Sequence, residues 1–165
     1  MASIITITAN NCNFPSTNAG RRVELNTSER LLAIAFDGTT SQSVTSPSIA
    51  VQGITTPLTI SMMLCFPIAT SGSAIFDISV MAVGGTDSIN LATTTSYASA
   101  NTSAAINAPA SVNNPVSATV TLTNDDGIAE LDFVQIKIAR NPANGSDTIT
   151  SDCYLIAAIL NDARS

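Results

Sequence analysis

Apolar and polar residues alternate along much of this chain with a period of two, and this pattern limits the fold more than any other feature. In the stretch VSATVTLT (116–123), every second residue from Val116 to Leu122 is apolar, and the residues between them are Ser or Thr. Such alternation places one set of side chains on each face of a β-strand, whereas an amphipathic helix needs a period of roughly 3.6 residues, which is hard to find here. The chain is therefore predicted to be all-β.

Eight segments carry strand signals, and turn signals rich in Gly, Asn, Asp and Ser separate them. The segments are 3–8, 30–36, 48–52, 58–66, 73–83, 116–123, 131–140 and 153–160. The last one, CYLIAAIL, is apolar on both faces, so we expect it to be a central strand. Because the spacing leaves no room for crossover helices, we predict an antiparallel β-sandwich, jelly-roll-like, of about eight strands. An immunoglobulin-type sandwich is less favoured, since the chain has no Trp and no suitably spaced Cys pair.

Two segments depart from this pattern and define the predicted organisation. Residues 1–29 are assigned to an N-terminal strand followed by a polar arm or connection, which includes Arg21-Arg22. Residues 30–165 form the sandwich domain. Within it, residues 84–115 are rich in Ala, Ser, Thr and Asn and form a long loop, with one weak strand predicted around Ile89 to Tyr97. Loops of this length usually carry function or an interaction surface.

The chain is poor in charge. Charged residues make up 11% of its 165 residues, and the mean hydropathy is +0.31. Typical soluble domains have about 25% charged residues. No uninterrupted apolar run approaches the roughly 18 residues of a membrane helix, so no membrane partner is expected. Two explanations stay open: a self-associating chain that is covered inside an assembly, or an exported protein whose Ser and Thr suit strands.

Three further features limit which partners the chain is expected to bind and in which cellular compartment it is expected to assemble. They are the sign of its net charge, its cysteines and its N-terminal residues. The net charge is −6, and the six basic residues form no stripe, so nucleic-acid binding is not expected. Cys12, Cys65 and Cys153 are too widely spaced for a disulfide framework or a Cys-x-x-Cys metal site. They favour assembly in a reducing cytoplasm, with one bridge left open. MASIITIT has no basic region, so no signal peptide is predicted.

The residue types needed for most enzyme chemistry are missing from the sequence. There is no His, which removes Ser-His-Asp and Cys-His catalysis and the commonest transition-metal ligand. Three dispersed Cys cannot complete a zinc site, and no Gly-rich phosphate-binding motif is present. We therefore predict a protein that is not an enzyme, with no catalytic, cofactor-binding or metal-binding residues and no cofactor.

Two polar clusters are candidate sites. Asp125, Asp126, Glu130 and Asp132 could serve a carboxylate hydrolase or bind Ca²⁺, but NDDG (124–127) is also a good turn, and the turn is the favoured interpretation. In LDFVQIKIARNPANGSDTITSDCYLIAAIL (131–160), Arg140, Asp147 and Asp152 could bind a ligand. The favoured interpretation is an ion pair and loop hydrogen bonds that fix a hairpin between the last two strands.

A series of landmarks follows a recognisable order from residue 58 to residue 162. It runs through LTISMMLCF, the turn ATSGS, AIFDISVMAV with GGTDSI after it, a variable Ala/Ser/Thr segment, SATVTLT, LDFVQIKIAR and SDCYLIAAIL. This order resembles that of small β-sandwich modules in tailed-bacteriophage virion proteins. That family has a strand ending in Arg, an Asp-Thr loop and an Asp opening the last strand; Arg140, Asp147-Thr148 and Asp152 match these places. It often has an acid where this chain has Asn141-Pro142 and an aromatic where it has Asn161-Asp162, which puts a shared ligand site in doubt.

The resemblance implies a virion structural protein, either a head-decoration (cement) protein or a fibre tip, assembled in the host cytoplasm. The partners it implies are further copies of the chain, with a trimer favoured, and a major capsid protein or another virion protein. The N-terminal third, which the resemblance does not cover, would dock to the particle. A carbohydrate- or receptor-binding module of a phage fibre or cell surface stays open, with Tyr97 as its one aromatic platform and Tyr154 expected in the core.

Overall fold

The computed structural model describes residues 3–26, 28–91 and 96–163, and this part of the chain is built of strands without a helix. It accordingly contains no helix long and apolar enough to cross a membrane. The strands are β1 (Ser3–Thr8), β2 (Arg21–Asn26), β3 (Leu31–Phe36), β4 (Ser43–Thr45), β5 (Ile49–Ala50), β6 (Leu58–Cys65), β7 (Ser73–Ala74), β8 (Phe76–Val83), β9 (Asn101–Thr102), β10 (Ile106–Asn107), β11 (Pro115–Leu122), β12 (Phe133–Arg140) and β13 (Cys153–Asn161).

Two antiparallel sheets, A and B, form the sandwich. Sheet A has the strand order β11-β6-β13-β3-β2, with β1 also paired to β13. Sheet B has the order β4-β12-β8-β9, with β5 also paired to β12. The short strands β7 and β10 pair with each other beside the two main sheets.

The pairing of the central strands is nested, and this defines the fold. β3 pairs with β13, β4 with β12, β6 with β11, and β8 with β9. In sequence, the β3–β13 pair encloses the β4–β12 pair, which encloses β6–β11, which encloses β8–β9. A long antiparallel hairpin gives this order when it is rolled up, and successive pairs then lie in alternate sheets. This arrangement is a jelly roll. The predicted antiparallel, jelly-roll-like sandwich is confirmed.

The core lies between the sheets and follows the period-two pattern. Its central members are Leu58, Ile60, Met62 and Leu64 of β6, Phe76, Ile78 and Val80 of β8, and Val134, Ile136 and Ile138 of β12. Burying each such side chain contributes about 1.5–3 kcal/mol relative to leaving it exposed. Across the two sheets, Phe36 and Phe76 meet edge to face with ring centroids 5.5 Å apart. On each of these strands the buried residues lie two apart, as the period-two alternation predicts.

The last strand, β13, is central in sheet A, as predicted, and one of its edges pairs with two different strands, β3 and β1. Residues Cys153–Leu155 pair with β3, whereas the residues from Ala157 onward pair with β1. Between these stretches, the register with β6 shifts at a bulge that contains Ile156. One edge of β13 therefore changes partner at Ile156, which leaves an opening in the sheet between β1 and β3.

Some predicted elements differ from the structure. All eight predicted segments contain strand, but 48–52 forms only the two residues of β5. Residues 9–29, predicted as an arm or connection, contribute β2 to the edge of sheet A. A weak strand was predicted around residues 89–97. The structure shows no strand at residues 89–91 or 96–97, and residues 92–95 lie outside the described part of the chain. The docking role of the N-terminal third stays a prediction.

Candidate functional site

Arg140 and Asp147 form a buried ion pair that organises the loop between β12 and β13. Both side chains are almost fully buried, and the guanidinium donates to the two carboxylate oxygens at 2.9 and 3.1 Å. It also donates to the carbonyls of Ser151 and Ile149. Burial alone would lower the pKa of Arg140, but the hydrogen bonds and charge of Asp147 outweigh it and raise that pKa. The group has no exposed face for a ligand.

The same loop satisfies backbone donors of the β7 region. Asp147 accepts a hydrogen bond from the Ile75 N–H at 3.0 Å, and the Thr148 hydroxyl accepts one from the Ser73 N–H at 2.9 Å. The predicted pinned loop is confirmed, but two details were wrong. β12 and β13 lie in different sheets, so the loop crosses the sandwich and closes no hairpin. Asp152 pairs with Arg21 of β2 at 2.6 Å, and it influences Arg140 only through its charge, which helps to raise the pKa of Arg140.

Each carboxylate of the acidic cluster accepts a backbone hydrogen bond. Asp125 accepts from the Gly127 N–H at 3.2 Å, and Gly127 has a φ of +65°, which confirms the turn interpretation. Asp126 and Glu130 accept from the N–H groups of distant segments, at Ala82 and Gly53, and Asp132 accepts from Ala129 within the same connection. No group of three metal-ligating side chains occurs in the described ranges. The carboxylates therefore stabilise loop backbones and do not converge on a common site.

The two tyrosines do not occupy the places expected of them. Tyr97 lies half-buried against sheet B, where its hydroxyl donates to Gln135 at 2.5 Å and the Lys137 ammonium lies 4.5 Å from the centre of its ring. Burial raises the pKa of Tyr97. One ring face is thus covered by a cation, which leaves a poor platform for a sugar. Tyr154, expected in the core, is half-buried on the outer side of sheet A.

All three cysteines are buried and free, so the bridge left open by the sequence is not formed. Burial raises the pKa of each thiol, and that of Cys153 reaches about 12. Cys153 packs in the core, whereas Cys65 lies on the opposite side of sheet A.

The part of the outer face of sheet A that β11, β6 and β13 form is uncharged and partly apolar, whereas the β2 edge of that face carries Arg21. Three rows of side chains cross it: Pro115–Cys65–Tyr154, Ser117–Met63–Ala157 and Thr119–Ser61–Ile159. None of them carries a charge. Met63 is 44% exposed and Leu31, at the start of β3, is 48% exposed, although both are large and apolar. Such surface is cheap to desolvate and is typical of the cores of protein interfaces.

A groove crosses this face at the opening between β1 and β3. We call its aliphatic part the apolar groove; it encloses about 550 Å³ and is lined by Leu25, Asn26, Leu31, Met63, Cys65, Asn113, Pro115 and Ile156. It continues past Asn26, Leu31 and Ile156 into a second space, the polar cleft, of about 630 Å³. The polar cleft also includes Thr8, Asn10, Glu29 and Arg30. Together they offer an aliphatic floor with amide and charged groups at one end.

The sequence predicted neither the apolar groove nor the polar cleft. Both depend on the change of partner along β13 and on β2, which sequence patterns did not indicate. The one available signal was the apolar character of both faces of CYLIAAIL. Because one face of β13 packs on the core, its second apolar face, which includes Tyr154, Ile156 and Ile159, lies on the outer side of sheet A.

Comparisons with known proteins establish no family. No protein-family model and no curated protein sequence matches the chain. Similar solved structures include the CBM22-1 xylan-binding domain of Paenibacillus barcinonensis Xyn10C, at 11% identity and a TM-score of 0.48, covering 96% of this chain and 89% of that one. The K1 cleaved adhesin domain of Lys-gingipain from Porphyromonas gingivalis is also similar, with 11% sequence identity and a TM-score of 0.44. The match covers 97% of this chain and 90% of the adhesin domain.

A third structure, the exo-beta-1,3-galactanase of Phanerochaete chrysosporium, has 15% identity and a TM-score of 0.45. The match covers 97% of this chain but 30% of the galactanase chain. At these identities and scores, the similarities carry no inference about what this chain binds.

Proposed function

We propose that this chain is a non-catalytic structural protein that works inside a larger assembly and contacts another protein through the outer face of sheet A. The observation that carries the proposal is the uncharged part of this face, formed by β11, β6 and β13, with Leu31 and Met63 exposed beside the apolar groove. A free domain with such a face would tend to associate. The polar clusters at Arg140 and at Asp125–Asp132 make hydrogen bonds that hold loops, so neither cluster is the basis of the proposal.

The resemblance to tailed-phage virion modules supplies the kind of assembly. We propose a capsid-decoration protein whose partner is the major capsid protein or another virion protein. A decoration protein that binds only the assembled shell stabilises that shell by mass action. An uncharged docking face suits this role, because it desolvates at little cost whatever the net charge of either partner.

The proposal is tested by co-sedimentation with purified capsids of the virus that encodes the chain. The double variant Leu31→Lys/Met63→Lys places two charges on the docking face, and we expect it to lose capsid binding while its melting temperature stays close to that of the wild type. The matched control is Leu91→Lys, in the 84–115 loop, where a similarly exposed aliphatic residue becomes charged. Equal co-sedimentation of all three proteins would refute the docking face.

A carbohydrate- or receptor-binding module is the second candidate, and the polar cleft is the observation that favours it. Asn10, Glu29 and Arg30 place amide, carboxylate and guanidinium groups around one opening, as sugar hydroxyls require. A glycan array with the wild type and Asn10→Ala separates the two candidates. Binding that is lost in Asn10→Ala but kept in Tyr97→Ala would assign the glycan to the polar cleft; an array with no binder would dismiss this candidate.

A further inference from the structure

Strand β11 lies at the edge of sheet A and is paired with another strand on one side only. It pairs with β6 along its whole length, from Pro115 opposite Cys65 to Leu122 opposite Leu58. Within the described residues, no other segment forms a backbone hydrogen bond with β11. Because the N–H and C=O groups of a strand point alternately to its two sides, about half of those of β11 face away from β6. These groups are open to pairing with a further strand.

The other edges of the two main sheets are protected. β2 carries three charged residues in RRVELN. Beside β1, the carboxamide of Asn11 donates to the Thr6 carbonyl at 2.6 Å and accepts from the Thr8 N–H at 2.7 Å, as a neighbouring strand would. β4 is covered by backbone hydrogen bonds to Asn13 and Asn18, and β5 and β9 have only two residues each. Charges, covering segments and short length are the usual protection of edge strands.

β11 has none of these protections. Its sequence, PVSATVTL, contains no charged residue, and its register with β6 runs from end to end without a bulge. The one Pro stands at the first residue of the strand, where it interrupts no pairing further along. A long, uncharged edge is a template for pairing with another chain. The chain thus protects its other sheet edges and leaves this edge of eight residues open.

A slot opens the core beside the first half of β11. It encloses about 340 Å³ between β11 and the segment 103–107. Val116 and Ala118 alternate with exposed residues as Val120 and Leu122 do, so all four face the core. Val120 and Leu122 are 5% and 2% exposed, whereas Val116 and Ala118 are only partly buried and line the slot. An added strand would therefore cover apolar side chains that the chain itself leaves partly exposed.

The two walls of the slot are uncharged and consist largely of small residues. Ala104, Ala105 and Ala118 leave room for an incoming backbone. The Asn101 side chain donates to the Asn124 carbonyl and accepts from the Asn124 N–H, both at 2.9 Å, which ties the second wall to the end of β11. A single extended segment can enter between the walls. A folded sheet that arrives edge-on brings further strands, and these would meet the second wall.

We propose that β11 takes up a single extended polypeptide segment of another protein as an added strand, seated in the slot. The row of unpaired N–H and C=O groups matches the backbone of an extended polypeptide, in which donors and acceptors recur at the same spacing. The uncharged walls favour small, uncharged side chains at alternate positions of that segment. The segment belongs to a different protein, because every strand in the described part of a second copy is already held in a sheet. The inference rests on the proposed function for its partner, a protein of the capsid, but it uses the edge of sheet A and not the outer face.

The first test probes the full chain against overlapping synthetic peptides that cover the proteins of the purified capsid. The wild type is expected to bind a small set of uncharged peptides. Ala105→Trp fills the slot from an exposed position, so it should lose this binding while its melting temperature stays close to that of the wild type. The matched control is Ala143→Trp, at an exposed Ala in the loop between β12 and β13, which should bind as the wild type does.

The second test asks whether the peptide is bound through its backbone. Two versions of the best peptide are N-methylated at alternate residues, one in each of the two possible phases. The phase that removes the N–H groups facing β11 should weaken binding by roughly tenfold or more, because several hydrogen bonds are lost together, and the other phase should weaken it less. Equal affinity of the two methylated peptides would show that β11 does not pair with the backbone, and would overturn the inference.

The inference and the proposed function can fail separately. A wild type that co-sediments with capsids but binds no peptide, or an Ala105→Trp that binds peptides as the wild type does, overturns the inference and leaves the proposed function standing. A wild type that binds a peptide through the slot but does not co-sediment with capsids overturns the proposed function alone. Concentration-dependent dimerisation of the wild type that Ala105→Trp abolishes, measured by light scattering, would assign the edge to a second copy and overturn the inference.

Discussion

At the scale of single residues, Arg140 shows why a nearly uncharged protein keeps a buried charge. The loop between β12 and β13 crosses from one sheet to the other, so its carbonyls have no strand partner. The guanidinium, with several donors in one plane, binds the carbonyls of Ile149 and Ser151 together with the carboxylate of Asp147. The ion pair therefore stabilises the loop where it passes from sheet B to sheet A.

Arg140→Ala is expected to lower the free energy of unfolding by roughly 3–5 kcal/mol, because it leaves Asp147 buried without its partner. Urea denaturation measures this loss. The control is Arg21→Ala, which removes the exposed pair with Asp152 and should cost about 1 kcal/mol or less. Equal losses in the two variants would contradict the role given to burial. Under conditions where Arg140→Ala is folded, its binding to a partner should be unchanged.

Cys153 makes stability depend on pH at the alkaline end. Its pKa is raised by burial from about 9 in the unfolded chain to about 12 in the folded one. The folded state keeps the proton longer, so this contribution to stability is complete below pH 9 and is lost as the pH rises towards 12. The slope is about 1.4 kcal/mol per pH unit for each such thiol. Denaturation at several pH values should show a shallower decline for Cys153→Ala, and an equal slope would exclude the thiol as the cause.

Residue contacts were predictable where the partners are close in sequence. Arg140 and Asp147 are seven residues apart in one loop, so their order alone indicated the pair. Asp152 binds Arg21, 131 residues away, and no local pattern specifies that partner. Tyr97 was assigned to a free loop because the sequence does not show that Lys137 and Gln135 lie beside it. Contacts of this kind depend on which strands become neighbours.

At the scale of elements, alternation predicted the strands that have one buried and one exposed face, and it missed those that lack this contrast. β2 (RRVELN) is an edge strand without a fully buried residue, and a register shift near its end further weakens the pattern. Charged residues and bulges are common on edge strands, where they oppose unwanted pairing. β4, β9 and β10 have only two or three residues, too few for any periodicity.

The edge strand β11 gives a direct test of the alternation. Val120 is buried against the core and pairs with Ile60, whereas Thr121 next to it is exposed on the outer face. Val120→Asp should unfold the domain, because it buries a charge without a partner. Thr121→Asp should change the free energy of unfolding by about 0.5 kcal/mol or less. Thermal melts of both proteins check this, and matching curves would refute the assignment of the two faces.

At the scale of the whole molecule, the jelly-roll topology determines where the charged residues lie on the surface. The acidic connection before β12 lies at one end of the sandwich. Near the other end, Arg30 pairs with Glu24 and shares the polar cleft with Glu29, so the charges there are balanced. Between them, the β11–β6–β13 part of sheet A presents an uncharged outer face, and the Arg21–Asp152 pair lies at its β2 edge. Neutral surface of this kind desolvates at little cost, and the proposed docking face rests on that property.

The decoration role predicts that the chain stabilises the particle that it covers. Capsids stripped of the chain should melt at a lower temperature than complete ones, and adding the purified chain back should restore the difference in a concentration-dependent manner. At a free concentration of 100 times the dissociation constant, binding to the assembled shell alone contributes about 2.7 kcal/mol per site. Leu31→Lys/Met63→Lys should fail to restore the melting temperature, and Leu91→Lys should succeed. If stripped and complete capsids melted alike, the chain would have no stabilising role in the shell, whatever its own oligomeric state.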